Sequence, residues 1–113
     1  MNAENLKGCL VKRSLRWFHF RQNNSGGRFH RDDKVDENVI IQAHSPAEAN
    51  DLAGRIGIYF YGVSDGSDCG CCGDRWIEQW PDEVGDEVPM IYSDVVDINN
   101  PPKNTKLYSY GSI

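Results

Sequence analysis

Apolar residues recur at helical spacing downstream of Ser45. Ala49, Leu52, Ala53, Ile56 and Phe60 fall at i, i+3, i+4, i+7 and i+11, one stripe of a helix. Glu48, Asn50, Asp51 and Arg55 lie off the stripe and face water. Ser45-Pro46-Ala47-Glu48 marks the start, with serine at N-cap, proline at N1 and glutamate at N3 of a capping box. Gly62 is the expected C′ stop. Gly54 and Gly57 each weaken a helix by about 1 kcal/mol relative to alanine, so they are expected to permit close backbone packing.

Elsewhere the period is two. Residues 10–22 read as an extended segment with Phe18 and Phe20 on one face and Trp17, His19 and Arg21 on the other. Asn23-Asn24-Ser25-Gly26-Gly27 has the composition of a hairpin loop, because asparagine and glycine accept positive φ cheaply. Residues 28–31 are the expected return strand. Residues 39–44 form a third strand, apolar enough to be central. Residues 63–74 read as a loop, 75–80 as a short aromatic segment cut by Pro81, and 82–87 as an exposed acidic stretch. Two late strands are expected at 88–92 and 107–110, separated by Asn99-Asn100-Pro101-Pro102, which cannot be regular structure. The pattern predicts a single α+β domain over residues 1–113, a small mainly antiparallel sheet with one principal helix packed on a face.

Charge is uneven. Residues 1–31 carry a net +6 and the remainder −11, within an overall −5. The two halves can neutralise each other, or the basic half can serve an anionic partner. No run of about 18 apolar residues predicts a membrane span. The first residues lack the basic-then-apolar order of a secretory signal, so a reducing cytosol, where thiols stay free or bind metal, is the expected compartment.

Three of the four cysteines stand in Asp68-Cys69-Gly70-Cys71-Cys72-Gly73-Asp74-Arg75-Trp76. Cys69 and Cys72 have the spacing of a zinc knuckle, and Cys71 lies between them. A second knuckle is missing, so Cys9 and one of His19, His30 or His44 would have to complete a zinc site. A redox Cys-x-x-Cys is disfavoured: Asp68 and Asp74 oppose any thiolate that Arg75 would stabilise, and no long helix opens there. Asp65, Asp68 and Asp74 do not match a calcium loop and read as turn formers. An ion pair of Asp74 with Arg75, and a cation–π contact to Trp76, would fix this loop. Catalysis finds no nucleophile elbow, phosphate loop or His-Glu-x-x-His.

Arg16, Arg21, Arg28 and Arg31 interleave with Trp17, Phe18, Phe20 and Phe29, a mixture used to bind single strands, but the acidic remainder repels a long polyanion. A small anionic ligand such as a nucleotide escapes much of that repulsion. Arg21, Asn23, Asn24, Asp74, Arg75 and Trp76 are the candidate binding residues, and Cys69, Cys71 and Cys72 the candidate metal ligands.

With Phe20-Arg21-Gln22-Asn23-Asn24-Ser25-Gly26-Gly27, Gly57-Ile58-Tyr59-Phe60 and the cysteine block in order, the chain resembles a family of small accessory proteins of large, T-even-like tailed bacteriophages. The likeness spans residues 17–92. It carries no catalytic residue with it. It implies a protein of the bacterial cytoplasm that binds a host protein or a small anionic signal and so interferes with a host process or defence. A zinc-stabilised nucleic-acid-binding module is the alternative, and the same surfaces leave room for a homo-oligomer.

Overall fold

The computed structural model describes residues 14–113. Cys9 and the first part of the extended segment expected from residue 10 lie outside these. β1 (Arg16–Arg21), β2 (Asn38–Ala43) and β5 (Thr105–Tyr108) form one sheet in the order β1-β2-β5. β1 pairs antiparallel with β2, Phe18 opposite Ile41 and Phe20 opposite Val39. β2 pairs parallel with β5, Ile40 opposite Leu107. A second, two-stranded sheet joins β3 (Met90–Ile91) to β4 (Asp94–Val95) in antiparallel register.

β2 is central, as its Val39-Ile40-Ile41 run requires, because both faces of the sheet are covered. Phe18, Phe20, Val39, Ile41 and Ala43 face a core completed by Val35, Ile58, Trp76 and the Ala49, Ala53 and Ile56 stripe of α1 (Pro46–Arg55). Trp17 and Ile40 point the other way, against Val96, Ile91 and Leu107. The alternation of β1 therefore feeds two hydrophobic clusters rather than one core and one solvated face.

The start of α1 is as expected: Glu48 N–H donates to Ser45 Oγ at 3.1 Å. The reciprocal bond lands one residue earlier, with His44 N–H donating to Glu48 Oε1 at 2.7 Å. The end differs. The helix stops at Arg55, and Gly57, at φ 101°, is the C′ residue in place of Gly62. Ile58 N–H donates to Ala53 O at 3.0 Å and Gly57 N–H to Gly54 O at 3.3 Å, a Schellman closure. A Cβ added at Gly54 or Gly57 would meet nothing within 4 Å, so the close-packing role expected of them belongs to Gly62, where a Cβ would come within 2.5 Å of Asp68 Cγ.

Residues 28–31 are not a strand. The partner of β1 is β2, and the connection across residues 22–37 is held by a side chain instead of a ladder. Gln22 is almost wholly buried. Its Nε2 donates to His30 O at 2.9 Å and Asp36 O at 3.0 Å, while its Oε1 accepts from His30 N–H and from the Arg75 guanidinium. The four bonds saturate the amide, which makes its burial affordable. The strand expected at 88–92 shortens to Met90–Ile91, and it gains a partner at Asp94–Val95.

Candidate functional site

Two loops remote in sequence meet at one end of β1. The segment after β1 turns through a short 3-10 helix at Ser25–Gly27, with Gly26 at φ 74° and Gly27 at φ 85°. The cysteine segment follows α2 (Gly62–Asp65). Asn23 staples them: its backbone N–H donates to Arg75 O at 2.7 Å, and its Nδ2 donates to Cys72 O at 2.7 Å and Asp74 O at 3.3 Å. Ser25, buried, accepts from Cys69 N–H at 3.2 Å through its hydroxyl.

Arg75 is the clamp of this junction. Its guanidinium donates to Gln22 Oε1 at 2.8 Å, Arg28 O at 2.9 Å and Ser25 O at 2.8 Å. Its ion-pair partner is Asp68, 3.8 Å away, and not the adjacent Asp74. The Asp68 side chain is fully covered and is satisfied by Tyr59 O–H at 2.6 Å and Arg75 N–H at 2.8 Å. Burial, then the bond to Asp68, raises the Tyr59 pKa. Asp74 accepts from Val63 N–H at 2.9 Å, and Trp76 lies in the core at 1 % exposure. The expected Asp74–Arg75 ion pair is thus replaced by Asp68–Arg75. Asp74, Arg75 and Trp76 build the junction, with the planar fork of Arg75 reaching three acceptors at once and Asp68 beside it.

Arg21, Asn23 and Asn24 do come together. With Gln22, Phe29 and Tyr92 they line an open depression of about 410 Å³. Arg21 donates to Tyr92 O–H at 3.2 Å, sits 6.0 Å from its ring centroid and pairs with Glu37 at 3.1 Å. Glu37 is shared with Arg31, whose guanidinium lies 5.2 Å over the Phe29 ring. Tyr92 is 69 % exposed and sits in the β3–β4 turn at φ 57°, a conformation that costs a bulky residue roughly 1 kcal/mol or more. Local sequence pattern could not reveal Tyr92, because the β3–β4 turn reaches Arg21 only through the fold.

The three thiols occupy the outer turn of the junction. Cys69, Cys71 and Cys72 are exposed, and their sulfurs all lie within 4.8 Å of one another. Cys69 Sγ is 2.9 Å from Cys71 Sγ, which is 3.9 Å from Cys72 Sγ. The turn closes through Cys72 and Gly73 N–H groups donating to Cys69 O, with Gly73 at φ 89°. Hydrogen bonds from the Cys71 thiol and then the Cys71 backbone N–H bring the Cys69 pKa down to about 7. The bond to Cys69 pushes Cys71 up to about 11. None of the expected histidine partners arrives. His19 bonds Asn38 Oδ1 at 2.7 Å, His30 bonds Asp32 at 3.1 Å and His44 bonds Glu48 at 2.9 Å.

A family model, described as Domain of unknown function (DUF7296), matches residues 15–112. The chain belongs to the DUF7296 family. The match takes in both loops of the junction, the depression and the whole cysteine turn of this DUF7296 chain. No curated protein and no solved structure matches it. Among the described residues, no helix is long and apolar enough to cross a membrane.

Proposed function

We propose that this DUF7296 chain is a small phage accessory protein that acts in the bacterial cytoplasm by binding rather than catalysis. Its ligand is a small anion carrying a flat ring, of the nucleotide class, or such a group displayed on a host protein. What supports this reading above all is the depression that joins the Arg21 guanidinium, the Asn23 and Asn24 amides and the Phe29 and Tyr92 rings. Arginine pairs with phosphate oxygens in a fork, amides supply orienting polar contacts, and aromatic edges stack a base. Asn24 makes no side-chain capping bond to the turn it precedes.

Titration with nucleoside mono- and diphosphates, followed by amide chemical shifts, tests the reading; inorganic phosphate serves as the ringless control. Arg21→Ala and Tyr92→Ala are each expected to weaken binding about tenfold, the loss of one charge-assisted or cation–π contact. Nucleotides that perturb no resonance around residues 21–29 and 92 at millimolar concentration would remove it.

A zinc-stabilised nucleic-acid module is favoured by one observation, the thiol cluster. Trp17, Phe18 and Phe20, the aromatic side chains that would stack bases along β1, are buried at 5 % exposure or less. The small-anion reading therefore carries more of the geometry.

A further inference from the structure

The turn at Cys69, Cys71 and Cys72 does something the depression does not use: it gathers three sulfurs on one exposed face. We propose that these three cysteines together bind one thiophilic cation, zinc(II) in the first instance, through three thiolates, leaving a fourth coordination position open to solvent.

Three features carry this. The first is convergence. Three sulfurs within 4.8 Å of one another can all reach an ion held at zinc–sulfur bonds of about 2.3 Å, which require sulfurs about 3.8 Å apart. The Cys71–Cys72 separation of 3.9 Å already fits, and Cys69 and Cys71, at 2.9 Å, must open across the single glycine between them. The second is the setting of Cys69. Its carbonyl accepts from the Cys72 and Gly73 N–H groups at 3.2 and 3.1 Å, which closes the turn that carries all three sulfurs on one side. The third is support from outside the turn. Asn23 holds Cys72 O and Ser25 holds Cys69 N–H, so the ligand geometry does not depend on the ion.

The open position follows from the donors available among the described residues. Structural zinc sites close with four protein ligands, whereas sites with three retain a place for water or another ligand. His19, His30 and His44 are each engaged elsewhere, and the metal-ligating group at this turn comprises these three cysteines alone among the described residues. On binding, each thiol that is still protonated gives its proton to solvent and its sulfur lone pair to the ion.

The test uses the full chain, reduced and handled without oxygen. Cobalt(II) is titrated in as a spectroscopic stand-in, followed by competition with zinc(II), and native mass spectrometry reads the stoichiometry. A thiolate-to-cobalt charge-transfer band saturating at one equivalent and displaced by zinc is expected. Cys69→Ser, Cys71→Ser and Cys72→Ser should each weaken zinc binding by more than about 100-fold, beyond the usual cost of an outer-shell change. Cys9→Ser should leave affinity within about twofold. The exposed positions of the three cysteines let the serine variants keep the parent circular dichroism, which separates ligand loss from unfolding. No charge-transfer band in the parent, or parent-like affinity in any of the three turn variants, would overturn the site. Loss of binding in Cys9→Ser would overturn the open fourth position. Copper(I) in place of zinc, with the same dependence on the three cysteines, would overturn the choice of ion.

Discussion

Truncating Arg75 to alanine should unlock the loop junction. Three guanidinium bonds of 2.8–2.9 Å disappear, to Gln22, Ser25 and Arg28, and the covered Asp68 carboxylate loses its cation. Bonds from a charged donor are worth about 1.5 kcal/mol or more each. The loss is not fully additive: Gln22 Oε1 still accepts from His30 N–H, and Arg28 is exposed, so water can reach its carbonyl. Asp68 keeps Tyr59 O–H and the residue-75 N–H. The sum is about 3 kcal/mol, the lower end of what breaking a buried ion pair costs. With a urea m value of about 1.5 kcal/mol per molar, the unfolding midpoint should fall by about 2 M at constant m. Arg75→Lys should recover only about 1 kcal/mol, because an ammonium cannot span three acceptors in a fork. An alanine variant within about 0.5 kcal/mol of the parent would refute the clamp and return Arg75 to the list of ligand-binding residues.

Three more outcomes follow from local geometry. Gly54→Ala should stabilise the protein by about 0.5–1 kcal/mol in urea melts, since the position is an exposed helical one with no atom within 4 Å of the added Cβ. Gly85→Ala should destabilise it by about 2 kcal/mol. Its Cβ would lie 2.8 Å from Arg16 Cβ and 3.0 Å from Phe18 Cζ at φ 72°, and unchanged thermal stability would contradict that packing. Burial is the main cause holding the His19 pKa below 6.5, so the folded protein resists a proton that the unfolded chain accepts. The resulting stability is complete above pH 6.5 and is lost as pH falls through 6.5 toward the lower folded value. His19→Gln should flatten the dependence of unfolding free energy on pH in that window, and an unaltered slope would exclude His19 as its source.

The difference between the legible and illegible parts of the chain is one of range. Ser45, Pro46 and Glu48 act on backbone groups within a turn of themselves, so the helix start was written locally, apart from Glu48 reaching His44. The helix end is ambiguous locally, because Gly57 and Gly62 both suit a stop and only the Ile58–Ala53 bond selects between them. The run Val39-Ile40-Ile41 requires burial on both faces of a strand, and all three are 0 % exposed. What covers those faces was not written there. β5 arrives in parallel from the far end of the chain, and the β3–β4 hairpin supplies the second cluster. A parallel neighbour leaves no turn signature in the sequence.

The candidate site divides the same way. Sequence alone determined that a cysteine-rich turn and an asparagine-glycine loop existed, because turn chemistry is a property of neighbouring residues. Only the tertiary structure decided that the two loops are one junction, with Arg75 facing inward to Asp68 and Trp76 committed to the core. Only it brought Tyr92 to Arg21 and kept the histidines from the sulfurs. Those outcomes depend on which buried polar groups find partners across the fold, and such pairings are settled between segments, not within them.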